Sequence, residues 1–129
     1  MADIGIRGYG EAMTAAFEQA ATALTAVIVD PAAVSPTQEI RIRCEAPDAE
    51  LLFVDWLNAL IYEMAVRNML FSRFSVRITG AVLQATVMGE PIDRQRHRPT
   101  VEVKGATYTE LRVARQNDGV WLAQCVIDV

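Results

Sequence analysis

An α+β fold, with two amphipathic helices packed on a mostly antiparallel sheet, is predicted by three observations. Helical periodicity is confined to two stretches in the first half of the chain; from residue 71 onward apolar residues recur with a period of two; and strand segments outnumber helices by about three to one. With 129 residues, 52% hydrophobic and 22% charged, and no repeat, linker or low-complexity run, the chain 1–129 reads as one domain. A chain of this size buries roughly two-thirds of its unfolded surface, so its core needs no staple of metal or disulfide.

Residues 3–9 place Ile4 and Ile6 on one face and run into Gly8 and Gly10, which predicts a short strand and a turn. Met13, Phe17, Ala20, Leu24 and Val27 then form the apolar stripe of a helix over 11–28, ended by Asp30-Pro31 and Ser35-Pro36. Residues 39–45 alternate Ile40, Ile42 and Cys44 with Arg41, Arg43 and Glu45, the pattern of a strand with one buried face. Asp48 is placed to cap a second helix over 49–67, whose buried stripe is Phe53, Leu57, Leu60 and Met64. Its opposite side carries Asp55, Asn58 and Tyr62, either a solvated face or a contact surface.

Phe74, Val76 and Ile78, a turn at Gly80, and Leu83, Ala85 and Val87 predict a hairpin that Gly89-Glu90-Pro91 stops. Asp93 to Pro99 reads as a polar, arginine-rich loop, followed by a strand Thr100 to Lys104. Residues 108–115 and 120–128 flank Asn117-Asp118-Gly119, a hairpin-turn signal. Both faces of the last segment are largely apolar, which predicts a central strand covered on both sides.

Twelve Lys and Arg against sixteen Asp and Glu give a net charge of −4, which argues against a protein that works mainly by coating nucleic-acid phosphates. Any RNA role is expected to be indirect. Apolar runs are interrupted well before about 18 residues and no leader pattern is present, so no membrane span and a cytoplasmic location are expected. Cys44 and Cys125 lie far apart without a CxxC or a nearby histidine, and are expected to pack as small apolar residues. The one histidine, His97, sits in the loop Arg94-Gln95-Arg96-His97-Arg98; no P-loop, GxGxxG or HExxH is present. That arginine cluster serves either phosphate contact or ion pairing. Asp3 opens the first strand and Asp128 closes the last, beside the α-carboxylate of Val129; pairing of these strands would gather oxygens suited to Ca²⁺ or Mg²⁺.

Six segments in order, Ala2-Asp3-Ile4-Gly5-Ile6, Ala16-Phe17-Glu18-Gln19-Ala20-Ala21, Leu52-Phe53-Val54-Asp55-Trp56-Leu57-Asn58, Gly89-Glu90-Pro91 with Asp93 and His97, Val103-Lys104-Gly105-Ala106-Thr107-Tyr108, and Ile127-Asp128-Val129, resemble the archease family over essentially the whole chain. The resemblance implies an accessory protein rather than an enzyme: one that promotes guanylylation and multiple turnover of the GTP-dependent RtcB-type RNA ligase of tRNA splicing and RNA repair. It implies a divalent metal (Ca²⁺, Mg²⁺ or Mn²⁺, since the ligands are oxygens) held by Asp3, Asp128 and Val129. It also marks Lys104 for contact with a phosphate or acidic group, and Glu90 and His97 as further functional positions. The family's sequences usually carry a strand-length stretch ending in His-Thr before the opening Ala-Asp, whereas here Met1 stands directly before Ala2, which reads either as a misplaced or internal start or as a short member whose site lacks that histidine beside Asp3.

Two other classes remain open at the sequence level. One is a chaperone or modulator of tRNA-modifying enzymes such as methyltransferases, docking through Asp55, Asn58 and Tyr62. The other is a small metal-dependent hydrolase, with Asp3 and Asp128 holding the ion and His97 or Lys104 as acid or base.

Overall fold

The computed structural model describes residues 3–129, so Met1 and Ala2, and with them the start of the opening motif, lie outside the described residues. The elements run β1 (Asp3–Gly10), α1 (Met13–Ile28), a single 3₁₀ turn (Pro31–Ala33), β2 (Gln38–Glu45), α2 (Ala49–Arg67), β3 (Met69–Thr79), β4 (Val82–Pro91), a one-turn α3 (Arg94–His97), β5 (Gly105–Ala106), β6 (Arg112–Arg115) and β7 (Trp121–Asp128). All strand pairing is antiparallel. The strands divide into two sheets, one with β7 at its centre between β1 and the pair β5 and β6, the other in the order β2-β4-β3. Period-two alternation says which face a strand buries, but not which strand lies beside it, so this division is new information.

Both long helices form where the apolar stripes place them. Asp48 caps α2 by accepting from the Leu51 amide at 2.8 Å, and Asn68 ends it in the left-handed region at φ 54°, its amide bonded to the Met64 carbonyl. Each helix lies on the inner face of one sheet and along an edge strand of the other. Helix α1 sits so close on β1 that a side chain at Gly8 would overlap the Ala16 carbonyl and the Ala20 amide. On its other side Thr25 Oγ1 donates to the Phe71 carbonyl at 2.8 Å and Glu18 accepts from the Val76 amide at 2.8 Å, both on the open edge of β3. Helix α2 covers the inner face of β2, β3 and β4, and Trp56 stands edge-on to Phe74 with ring centroids 6.3 Å apart. It closes the open edge of β5 and β6: Asn58 Oδ1 accepts from the Ala106 amide at 2.9 Å and Glu50 from the Val113 amide at 3.3 Å. The helices are tied together by the Trp56 indole N–H, which donates to the Phe17 carbonyl at 3.1 Å inside one continuous apolar core.

Several boundaries move. The hairpin at Gly80 and that at Asn117–Gly119 form as expected, and β7 is central. Its inner face, Ala123, Cys125 and Ile127, is fully buried, while Gln124, Val126 and Asp128 on the other face are half-buried. Gly89-Glu90-Pro91 does not stop β4: the strand runs through it, and a side chain at Gly89 would overlap the Leu70 carbonyl at the β3 bulge. Pro91, lacking an amide proton, is tolerated because it is the terminal residue. Thr100–Lys104 is not a strand. Its ends are pinned instead, Thr100 N to the Ile28 carbonyl at 2.9 Å and Lys104 N to the Asp128 carbonyl at 2.8 Å, and ladder pairing begins only at Gly105, where the chain meets β7. Of 108–115 only Arg112–Arg115 pair as a strand. The arginine-rich loop contains a helical turn, capped by Asp93 through the amides of Gln95 and Arg96.

Replacing Thr25 by Val keeps the volume of that buried site but leaves the Phe71 carbonyl facing a methyl group. Unfolding in urea should show a loss of about 1–3 kcal/mol. An unchanged midpoint would mean that closing the β3 edge contributes nothing.

Candidate functional site

The β1–β7 ladder sets Asp3 and Asp128 directly opposite each other at the open end of the first sheet. Their register row continues to Gly105 of β5, and Lys104 is bonded to this row through its backbone. Ile4 and Ile6 on β1 and Ile127 and Cys125 on β7 turn to the core, so Asp3 and Asp128 belong to the outer face by alternation. Asp3 is exposed, and Asp128 and Val129 are half-buried. Among the described residues no hydrogen bond or ion pair engages either side-chain carboxylate. Side chains directly opposite in an antiparallel pair stand roughly 5 Å apart, and like charges there repel. A cation between them reverses the sign of that term.

Among the described residues no three His, Cys, Asp or Glu side chains converge on one point. The oxygens that the ladder itself sets opposite each other are the carboxylates of Asp3 and Asp128. Their chemistry fits a hard divalent cation with oxygen ligands and does not fit zinc, for which nitrogen and sulfur donors are missing.

Glu90 and His97 are brought together, but elsewhere, and with Arg96 rather than with the aspartates. Glu90 lies in β4 of the second sheet, and no hydrogen bond or ion pair joins it to Asp3 or Asp128. Its carboxylate accepts from His97 Nε2 at 2.9 Å, from the Ser35 amide at 2.7 Å and from Arg96 Nη2 at 2.7 Å. His97 Nδ1 in turn accepts from the Asp93 amide at 2.8 Å, which leaves Nε2 as the nitrogen that donates to Glu90. With both nitrogens engaged and its side chain 0% exposed, His97 is not available as an acid or base at the aspartate pair. The cluster fastens β4, α3 and the chain after α1 to one another, since Arg96 also donates to the Ala33 carbonyl at 2.9 Å. Sequence reasoning missed Arg96 as the partner; the signal was Asp93 three residues ahead, a cap that turns Arg96 back toward Glu90.

The remaining candidates divide cleanly. Burial pushes the Cys44 thiol up to about 11, helped by the charge of Asp55, and burial also lifts Cys125 to about 11; both are free, buried and protonated at neutral pH. On α2, Asn58 is committed to the Ala106 amide, whereas Asp55 and Tyr62 remain exposed, Tyr62 by 62% and its neighbour on the next turn, Val66, by 58%. Beside them a groove of about 500 Å³ is lined by Ile61, Met64, Ile92, Arg94, Val101 and Val103. Among the described residues no helix is long and apolar enough to cross a membrane.

The hydrogen bonds from Arg96, the Ser35 amide and His97 hold the Glu90 carboxyl down at about 2, against an ordinary 4.5. A lowered folded-state value stabilises the protein above the unfolded value, and that contribution is lost as pH falls from about 4.5 through about 2. Glu90→Gln should therefore unfold more easily than the parent at pH 7 and show a shallower decline of stability across that acid window. Thermal melts between pH 7 and pH 2 check this; parallel curves for the two proteins would contradict it.

The Archease protein family (MTH1598/TM1083) matches residues 1–129. The chain is 39% identical over 132 residues to protein archease of Pyrococcus furiosus, covering 99% of this chain and 93% of that protein. To protein archease of Methanosarcina mazei it is 35% identical over 133 residues, covering 99% and 90%. The solution structure of Methanobacterium thermoautotrophicum protein 1598 superposes with a TM-score of 0.87 at 32% identity, covering all of this chain and 94% of that one. The crystal structure of a Thermotoga maritima archease, described as a possible chaperone, shares the fold with a TM-score of 0.66 at 20% identity, over 98% and 90% of the two chains.

Proposed function

The chain belongs to the archease family, and from that membership we propose that it is a non-catalytic accessory protein that activates a GTP-dependent RtcB-type RNA ligase with the help of a divalent cation. The observation that carries the reading is the opposition of Asp3 and Asp128 across the β1–β7 ladder. Among the described residues neither carboxylate has a hydrogen-bond or ion-pair partner, like charges opposite each other repel, and a cation between them would turn that repulsion into attraction.

Asp3, Asp128 and the α-carboxylate of Val129 would hold Ca²⁺, Mg²⁺ or Mn²⁺; when bound, the ion supplies Lewis-acidic positive charge for guanylylation of the ligase's active-site histidine. Such ions take about six to eight oxygen ligands, so three carboxylates leave positions open to water or to oxygens of a partner. That openness suits a protein that presents or delivers a metal better than one that locks it away. Lys104, exposed and bonded through its backbone to Asp128, would meet a phosphate or acidic group of the partner on this reading. On this reading the protein works in the cytoplasm, where its partner acts.

A second reading, a chaperone or modulator of tRNA-modifying enzymes, draws on the exposed Tyr62 and Val66 beside the α2 groove, a surface suited to a protein partner. Affinity capture separates the two, since recovery of a methyltransferase without a ligase favours the second.

The primary test is guanylylation of a cognate ligase with GTP and Mn²⁺, with and without this protein. Stimulation is expected, and its absence removes the proposal. Asp128→Ala should abolish metal-dependent stimulation yet fold normally, because the Asp128 backbone carbonyl still accepts from Lys104. Without ligase, Mn²⁺ or Ca²⁺ at a hundredfold excess over its dissociation constant should stabilise the parent by about 2.7 kcal/mol and leave the variant unchanged. Equal thermal shifts in both proteins would place the metal elsewhere.

A further inference from the structure

The second sheet turns its apolar residues to the helices and leaves its other face bare. On that face the register fixes two adjacent rows across β2, β4 and β3: Arg41, Thr86 and Ser75 in one, and Arg43, Gln84 and Arg77 in the next. Arg73 lies on the same face one row further along β3. Arginines two apart on a strand stand about 6.8 Å from each other, and β2 and β3 are about 9.6 Å apart across β4. Long side chains thus surround short ones, and the six residues of the two rows line a concavity of about 620 Å³.

In a chain of net charge −4, this is a concentrated patch of the opposite sign. Two glutamates of β2, in the rows on either side, neutralise it only weakly: Arg41 meets Glu39 at 3.5 Å and Arg43 meets Glu45 at 3.0 Å, both pairs exposed. Arg73 and Arg77 have no ion-pair partner among the described residues.

We propose that this face binds the phosphodiester backbone of RNA. Arginine forks around a floor of Ser, Thr and Gln donors are the side chains that contact phosphate oxygens, and they suit a chain of phosphates better than a single one. The two rows carry no aromatic or large apolar anchor, which is what the centre of a protein interface needs, so an acidic protein is the poorer fit. They also offer no ring on which a base could stack, so binding reads charge and not sequence. The choice of RNA among phosphate polymers rests on the ligase reading; the basic face itself does not. The metal candidate and this face lie on different sheets, so one protein can hold a strand on one surface and present a cation from another.

Fluorescence anisotropy with a short labelled single-stranded RNA of mixed sequence tests this on the full chain alone. Weak binding is expected at low salt, with log K falling against log salt at a slope of about −2 if three phosphates are contacted. Arg43→Glu with Arg77→Glu should lower affinity at least tenfold, while Arg112→Glu, on the other sheet, should change it little. If the charge reversals disturb folding, Arg43→Gln with Arg77→Gln serves, with an expected loss of several-fold at an unchanged melting temperature. No binding at low salt, binding that survives both double variants, or a polyglutamate peptide that displaces the RNA at lower concentration than unlabelled RNA does would each overturn the proposal. Asp128→Ala should bind RNA as the parent does. RNA binding without ligase stimulation therefore sinks the ligase reading alone, and stimulation without RNA binding sinks this inference alone.

Discussion

The fold depends on how its two sheets dispose of their edges. A sheet of three or four strands ends in rows of unpaired amides and carbonyls, and burying such groups unmatched costs about 1–3 kcal/mol each. Here the partners come from the helices. Glu18 and Thr25 of α1 satisfy β3, and Glu50 and Asn58 of α2 satisfy β5 and β6, so each helix is both the floor of one sheet and the border of the other. The arrangement is reciprocal, and neither sheet is complete without the helix that lies under its neighbour. Gly8 follows from the same constraint: α1 can reach β3 only by pressing its backbone against β1, where no side chain fits.

With the inner faces and these edges occupied, the proposed metal and RNA surfaces fall at a sheet end and on an outer sheet face. The opposition of Asp3 and Asp128 is a by-product of ladder register, and the same β1 register that fixes Ile6 and Gly8 in the core fixes the row in which the carboxylates stand. A one-residue slip would turn Ile6 outward and separate the aspartates together, so the core protects the site's geometry. The second sheet works the same way, with Ile42 and Cys44 held inward and Arg41 and Arg43 therefore outward.

Much of this was legible in the chain. The apolar stripes gave both helices, Asp48 gave the start of α2, and the alternation of β2 named its buried face correctly. That Asp3 and Asp128 meet followed from two terminal strands pairing antiparallel. The division into two sheets was not legible, because alternation carries no label for the neighbouring strand. Nor were the closing side chains: Glu18, Glu50 and Asn58 stand on helix positions where a polar residue ordinarily meets water, and only the neighbouring sheet edge gives each its partner. The burial of His97 was hidden for the opposite reason, since a histidine in a polar, arginine-rich loop gives no sign of it until Asp93 caps the turn and the ring folds onto Glu90. Thr100–Lys104 has the composition of a strand, but its path crosses from Ile28 to Asp128 before any free strand edge is within reach.

These commitments bear on what kind of work the molecule can do. Among the described residues His97 is engaged by Asp93 and Glu90, Glu90 by three donors, and the two thiols are kept protonated by their buried surroundings. Other charged groups, among them Asp3, Asp128, Lys104 and the arginines of the second sheet, stand at or near the surface. Net charge alone hides them, since −4 averages an acidic sheet end against a basic sheet face. On the proposed reading, fixed charge of both signs, held in register by two separate ladders, is what this protein would offer an enzyme whose substrate is a polyanion and whose reaction needs a metal.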